Sequence, residues 1–268
     1  MDKTKGVSEA DLKDPVYFQV GFLKTVPFDK QIQVLRSKAK RKVLCCGRRG
    51  GKTRLVAGEI IRGGVYKEFP RQLVVTPVYR NLKPIFNQTI AYLESSGLMS
   101  DVAKVLRSSP QQIIFKNGSV VDFGSCDSPN SLRGEAYDRI FKDESGFIKR
   151  EANMVLRPMM FDVDADLWDT STPWSKDTTF YENYEKGLKG KGRTESFHWT
   201  SLDNPHLNLK LIREEIEEYG ENSFYVQAEI YGNFIDDVDS YFKRALIEGC
   251  INEDYELYTE DQLVGMNV

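Results

Sequence analysis

The chain has 268 residues, with 37 basic and 40 acidic side chains and a formal net charge of −3. Hydrophobic residues make up 40% and charged residues 29%. This excludes a disordered, collagen-like or disulfide-framework chain and fits one large domain or two small ones. The opening MDKTKGVSEADLKDP is polar and reads as loose, with no apolar core of a signal peptide. No later stretch approaches the roughly 20 apolar residues of a membrane-spanning helix, so a cytoplasmic protein is expected. From Pro27 to Ser37 the spacing of Phe28, Ile32 and Leu35 predicts a helix. The basic run Arg36, Lys38, Lys40, Arg41 and Lys42 follows. It reads either as a solvated helix end or as a contact for phosphates.

Val43-Leu-Cys-Cys46 predicts a buried strand, and Leu55 to Tyr66 a helix. Gln72 to Thr76 predicts a second strand and Pro84 to Ser96 a second long helix. Gln111–Phe115 and Ser119–Phe123 flank Asn117-Gly118, a hairpin signal. A strand at Arg139 to Asp143, a helix near Glu151 to Leu156 and a strand at Leu167 to Thr172 come next. A tyrosine-rich helix over Phe180 to Leu188, a strand over Glu195 to Thr200 and mostly helix from Leu209 complete the pattern. Tyr181 and Tyr184 on that helix read as core. Lys186 to Arg193 reads as a flexible basic loop, solvated or touching phosphates. Strands separated by helices predict an α/β fold with a largely parallel sheet. Four cysteines without a CxxC pair, and only His198 and His206, argue against structural zinc and a histidine-based triad.

The strongest motif is Gly47-Arg48-Arg49-Gly50-Gly51-Lys52-Thr53. It fits GxxxxGK[ST] except at the first position, Cys46, and lies between a strand and a helix as a P-loop requires. The glycines let backbone N–H groups converge on phosphate, aided by the helix N terminus. Lys52 would neutralise the β- and γ-phosphates of ATP, and Thr53 would offer its hydroxyl to Mg²⁺. Asp143-Glu144 follows a strand, so Asp143 is the expected metal carboxylate and Glu144 the base that orients or deprotonates water. Lys142 is the anomaly, because an apolar residue is expected there.

Together these residues resemble the ATPase domain of viral large terminase subunits. The P-loop with its early arginine, Ser131-Leu-Arg-Gly134, Asp143-Glu-Ser145 and Ser171-Thr-Pro173 occur in that family's order. Asp203-Asn-Pro-His206 and Gln227 to Phe234 look similar too, with Ala228 departing from the usual residue. The resemblance covers roughly Pro27 to Asp237. It implies an ASCE-type P-loop NTPase: a mainly parallel twisted sheet flanked by helices, with a small C-terminal helical lid. The implied organisation is 1–26 as an extension, 27–203 as ATPase core, 204–240 as lid and linker, and 241–268 as the start of a linker. The expected continuation into an RNase H-like nuclease is missing; the ending resembles its first strand, with Asn267 in place of an aspartate, so no nuclease activity is expected.

The resemblance also implies that Gln31 reads adenine and that Thr172 senses the nucleotide state for the lid. Thr172 otherwise reads as a strand-end hydroxyl. Arg133 is the choice for an arginine finger serving a neighbouring subunit; the other reading pairs it with Asp138 or Glu135. Arg48 and Arg49 are rivals for sensing the γ-phosphate. The implied partners are double-stranded DNA, the portal protein, a small terminase subunit and a homo-oligomeric ring, commonly a pentamer, docked on the procapsid in the host cytoplasm. A helicase-like translocase and a nucleotide-binding scaffold without hydrolysis are the competing readings.

Overall fold

The computed structural model describes residues 13–132, 135–190 and 192–235. These belong to the unit that ends at Ile235. The stretch 241–268, expected to begin a linker, lies outside the described residues, Asn267 included. At the centre is an eight-stranded sheet built from β1 (Arg41–Cys46), β2 (Arg71–Thr76), β3 (Val102–Leu106), β4 (Gln111–Phe115), β5 (Val120–Ser125), β6 (Arg139–Asp143), β7 (Asp166–Ser171) and β8 (Thr194–Trp199). The spatial order is β3-β4-β5-β2-β6-β7-β1-β8. Pairs from β5 through β8 are parallel, and only β3–β4 and β4–β5 are antiparallel.

The central strands are buried on both faces, which explains their continuous apolar runs. Period-2 alternation still assigns each residue to a face. Leu44, Cys46, Val74, Phe141 and Trp168 enter one core, together with residues of α3 (Lys52–Val65) and α4 (Leu82–Ser96). Leu73, Val75, Ile140 and Leu167 point the other way, against α5 (Arg150–Leu156). Val43 and Cys45 pack on Phe180 of α6 (Thr179–Leu188). Tyr181 packs edge-on and Tyr184 tilted against Phe234, at 4.9 and 5.2 Å between ring centroids, in keeping with a core role.

Asn117-Gly118 makes the expected hairpin turn, with Gly118 at φ +88°. The Asn117 side chain also caps the far end of α3 by donating to Gly64 O and Val65 O.

Two elements escaped the sequence reading. Helix α1 (Pro15–Gly21) begins at an Asp14 cap that accepts the Tyr17 amide at 2.8 Å, with proline at its first position. Phe18 on it is fully buried in the main core, and α2 (Asp29–Arg36) packs nearby. Residues 15–26 are therefore part of the packed unit rather than an extension ahead of it. Strand β3 is an edge strand with no clean alternation of burial, which hid it. The segment from Leu209 forms α7 (Leu209–Tyr219) and a π-helical turn (Val226–Ile230).

Lys142 is the correction inside β6. It is buried, 4% exposed, where an apolar residue was expected. Asp169 of β7 supplies its counter-charge at 2.5 Å, which is what permits a lysine there.

Candidate active site

Strand β1 delivers the loop, and α3 starts within it at Lys52. Gly51 lies at φ +84°, a left-handed conformation that suits glycine. Gly47 is required for a different reason. A Cβ there would sit 2.3 Å from Ile230 O and 2.6 Å from the Ser201 amide. The loop carbonyls are tied from outside: Ser201 Oγ donates to Arg48 O at 2.6 Å, Asn204 Nδ2 to Arg49 O at 2.8 Å, and Trp199 Nε1 to Gly50 O at 2.8 Å. The backbone is thereby fixed before any anion arrives. The first N–H groups of α3 have no helical partner and carry the positive end of its dipole.

Lys52 is 7% exposed. Its Nζ donates to Cys46 O at 3.1 Å, Gly47 O at 3.3 Å and Thr172 Oγ1 at 3.0 Å. Thr172 follows the end of β7, and β7 lies between β1 and β6. The C-terminal ends of three adjacent parallel strands thus bring the loop, Thr172 and the acidic pair together.

Asp143 is 5% exposed and accepts Thr170 Oγ1 at 2.8 Å. Glu144 follows at φ +54°, a strained conformation for a residue with a Cβ. Ser171 Oγ lies 3.5 Å from its Oε2. Burial pushes both carboxyl groups above their ordinary values, while the Lys52 ammonium opposes the shift. For Glu144 the neighbouring charges of Asp143 and Glu229 add to the rise. A hydroxyl from Thr53 and a carboxylate from Asp143 are hard oxygen donors, so they fit Mg²⁺ that takes its remaining ligands from phosphate and water. Among the described residues no group of three or more His, Cys, Asp or Glu side chains forms a self-sufficient metal site.

The remaining expected residues fall as follows. Gln31 is buried on α2 and donates to Gly51 O at 3.4 Å. It lines a cleft of about 210 Å³ with Val26, Pro27, Arg54 and His206. Arg48 points outward and pairs with Glu229 at 3.1 Å. Arg49, at φ +61°, shares with Arg48 an apolar groove formed by Leu211, Tyr225 and Ile230. Arg133 lies outside the described residues. Asp138 accepts the Arg71 amide at 2.7 Å, and Glu135 meets the Arg71 guanidinium at 3.2 Å.

Several residues of the basic runs form intramolecular ion pairs at exposed sites. Arg36 pairs with Asp14, Lys40 with Asp166, and Arg193 makes two 2.6 Å bonds to Asp164. Lys42 is buried over the Trp168 ring. Trp199, Ser201, Asn204 and Glu229 were missed as site residues. Asp203 to His206 and Gln227 to Phe234 marked two of the regions. No local pattern announces that side chains there reach a loop about 150 residues away.

A family model described as terminase large subunit, T4likevirus-type, N-terminal, matches residues 43–248. No curated protein sequence matches the chain. Among solved structures, the large terminase ATPase domain of Thermus phage P74-26 aligns with a TM-score of 0.64 at 20% identity, over 81% of this chain and 97% of that one. The large terminase of a thermophilic bacteriophage, solved in complex with ADP, aligns with a TM-score of 0.65 at 19% identity, over 78% of this chain and 54% of that one. The HK97 bacteriophage large terminase aligns with a TM-score of 0.71 at 15% identity, over 89% and 58%. At such identities the likeness is one of fold. The chain spans little more than half the length of the last two proteins.

Proposed function

The chain belongs to the large terminase subunit family, through its T4likevirus-type N-terminal domain, and we propose that it is the ATP-hydrolysing motor that drives double-stranded DNA into a procapsid. The observation that carries this reading is the meeting of Lys52, Thr172, Asp143 and Glu144 at the ends of β1, β7 and β6. The large terminase of the thermophilic bacteriophage has been solved with ADP and with ATP-γ-S, which supports ATP as the nucleotide here.

The loop from Gly47 to Gly51 and the N terminus of α3 bind the β- and γ-phosphates. Lys52 neutralises them. Its present acceptors are two carbonyls and a hydroxyl, all weaker partners than a phosphate oxygen. Arrival of the γ-phosphate therefore draws Lys52 away and frees Thr172. That exchange lets the strand end report the nucleotide state, as a coupling residue must. Thr53 and Asp143 hold Mg²⁺, which neutralises charge on the phosphates. Glu144 orients the attacking water and takes its proton; its raised carboxyl is a stronger base than an ordinary glutamate. The Gln31 cleft receives the adenine, and Arg49, or Arg48 once it leaves Glu229, senses the γ-phosphate.

The partners proposed are DNA, the portal protein, the small terminase subunit and further copies of this chain in a ring docked on the procapsid in the host cytoplasm. Among the described residues no helix is long and apolar enough to cross a membrane.

The test is Mg²⁺-dependent phosphate release, with and without double-stranded DNA. Lys52→Ala and Thr53→Ala should nearly abolish it while thermal unfolding stays close to the parent's. Normal turnover in either variant would sink the P-loop assignment, and a parent that binds ATP without releasing phosphate would favour the scaffold reading.

A further inference from the structure

Lys142 immediately precedes Asp143, in a strand where every residue is buried. Its Nζ lies 2.5 Å from Asp169 Oδ1 and 2.9 Å from Asn153 Oδ1. The other oxygen of Asp169 accepts Asn183 Nδ2 at 3.0 Å. Four polar side chains, from α5, β6, β7 and α6, thus form one chain, buried except at half-buried Asn183. Lys142 and Asp169 are register partners in the β6–β7 ladder. The next register pair is Asp143 with Thr170, on the opposite face, where Thr170 bonds the Asp143 carboxylate.

This placement matters because of Glu144. A non-glycine residue at φ +54° persists only where its surroundings over-determine it. Before Glu144, the chain is pinned by Lys142 to β7. After it come the turn Ser145–Phe147 and helix α5, which Lys142 also pins through Asn153. One ammonium therefore holds the backbone on both sides of the strained residue. A buried ion pair is weak support for stability, since apolar replacements are often neutral or better. Apolar side chains lack the directional bonds that join a strand end to the following helix.

We propose that Lys142 is a positioning residue for hydrolysis: by joining Asp169 to Asn153 it sets the geometry of the Glu144 turn over the phosphate site. The proposal rests on the ATPase reading above.

Lys142→Met alone leaves Asp169 buried and unpaired and risks unfolding. The test therefore uses the double variant Lys142→Met/Asp169→Leu, which removes both charges. Thermal unfolding should stay near the parent's. Turnover of ATP should fall about 10–100-fold in kcat with KM nearly unchanged, as expected when a reacting group is displaced and binding is not. Hydrogen exchange gives a readout independent of activity. The Phe147 amide donates to Glu144 O at 3.0 Å and the Ile148 amide to Ser145 O at 3.1 Å. Both should exchange faster in the double variant, while amides of α3 keep their protection. The neutral pair Lys142→Gln/Asp169→Asn retains hydrogen bonding and should recover most of kcat. A folded apolar double variant with parental kcat and parental exchange in the turn overturns the proposal. Failure of the neutral pair to recover turnover overturns the claim that directional bonds do the positioning. A parent without ATPase activity overturns the functional reading instead, and the exchange measurement then decides the clamp by itself.

Discussion

Glu144 meets two opposed demands. In its proposed role it must be ionised to accept a proton, yet burial, with Asp143 and Glu229 beside it, disfavours its charge. Glu144→Gln keeps the shape and removes the basicity. Phosphate release should drop ~10²–10⁴-fold with ATP binding retained. The same change relieves a desolvated charge in the ATP-free protein, so its Tm should rise by a few degrees, given that about 1 kcal/mol moves a domain of this size by roughly 2–4 °C. Normal hydrolysis would assign the base elsewhere, and a lowered Tm would contradict the electrostatic account. Lys42 shows the opposite sign. Burial pulls its ammonium from 10.5 down to about 8, against the attraction of Glu59. Between those values the unfolded chain binds more protons than the folded one, so this group adds stability as pH rises through 8. Lys42→Met should be no less stable than the parent at about pH 7, and should lose the parent's gain between about pH 8 and 10 in urea unfolding. A parallel pH profile in the variant would refute this.

At the scale of elements, α3 is held at both ends. Its N terminus opens at the proposed phosphate site. Its C-terminal half carries Glu59, 2% exposed, which takes two bonds from Arg62 at 2.9 and 3.0 Å and faces Arg139 at 3.3 Å. Arg139 opens β6, the strand that ends in Asp143, and its guanidinium lies 3.3 Å from the centre of the Phe69 ring. The P-loop helix and the strand of the acidic pair are therefore locked together far from the chemistry. Glu59→Gln would remove the counter-charge that two buried guanidinium groups share, leaving Arg62 with Glu68 and Arg139 with Asp166. Breaking a buried pair costs up to about 3–5 kcal/mol, measurable as a shift of the urea midpoint at constant m. A shift near zero would mean that the network is replaceable packing.

For the molecule as a whole, the proposed ring of subunits would make each site depend on a neighbour. With Arg133 as the finger, Arg133→Ala should bind ATP yet lose hydrolysis, since such a residue contributes ~10³–10⁵ in rate. Its P-loop remains sound, while Lys52→Ala keeps a sound finger. Mixed on the portal at ring-forming concentrations, the two inactive variants should regain part of the activity. No rescue in verified mixed rings would move the role to Arg48 or Arg49. Of these, Arg48 is held by Glu229, so Glu229→Gln would then change the ATP dependence of turnover.

Much of this molecule is written locally. The loop from Gly47 to Thr53 needs glycine at a left-handed turn, Asn117-Gly118 needs a hairpin, and the buried strands declare themselves by apolar runs, because each depends on residues next to one another. Asp143 and Glu144 were legible for the same reason: a strand followed by two acids. The Asp14-Pro15 start of α1 was also local, and was passed over because the polar residues before it read as loose. What only the tertiary structure decided is which strand lies between β1 and β6. Inserting β7 there brings Thr172 to Lys52 across 120 residues of chain. Pairing of β8 on the other side of β1 brings Trp199 to Gly50 across 149 residues, and the β6–β7 register sets Asp169 beside Lys142. Such contacts depend on strand order and register, which no stretch of sequence encodes by itself. A lysine before the acidic pair is an anomaly in one strand and an ion pair in two.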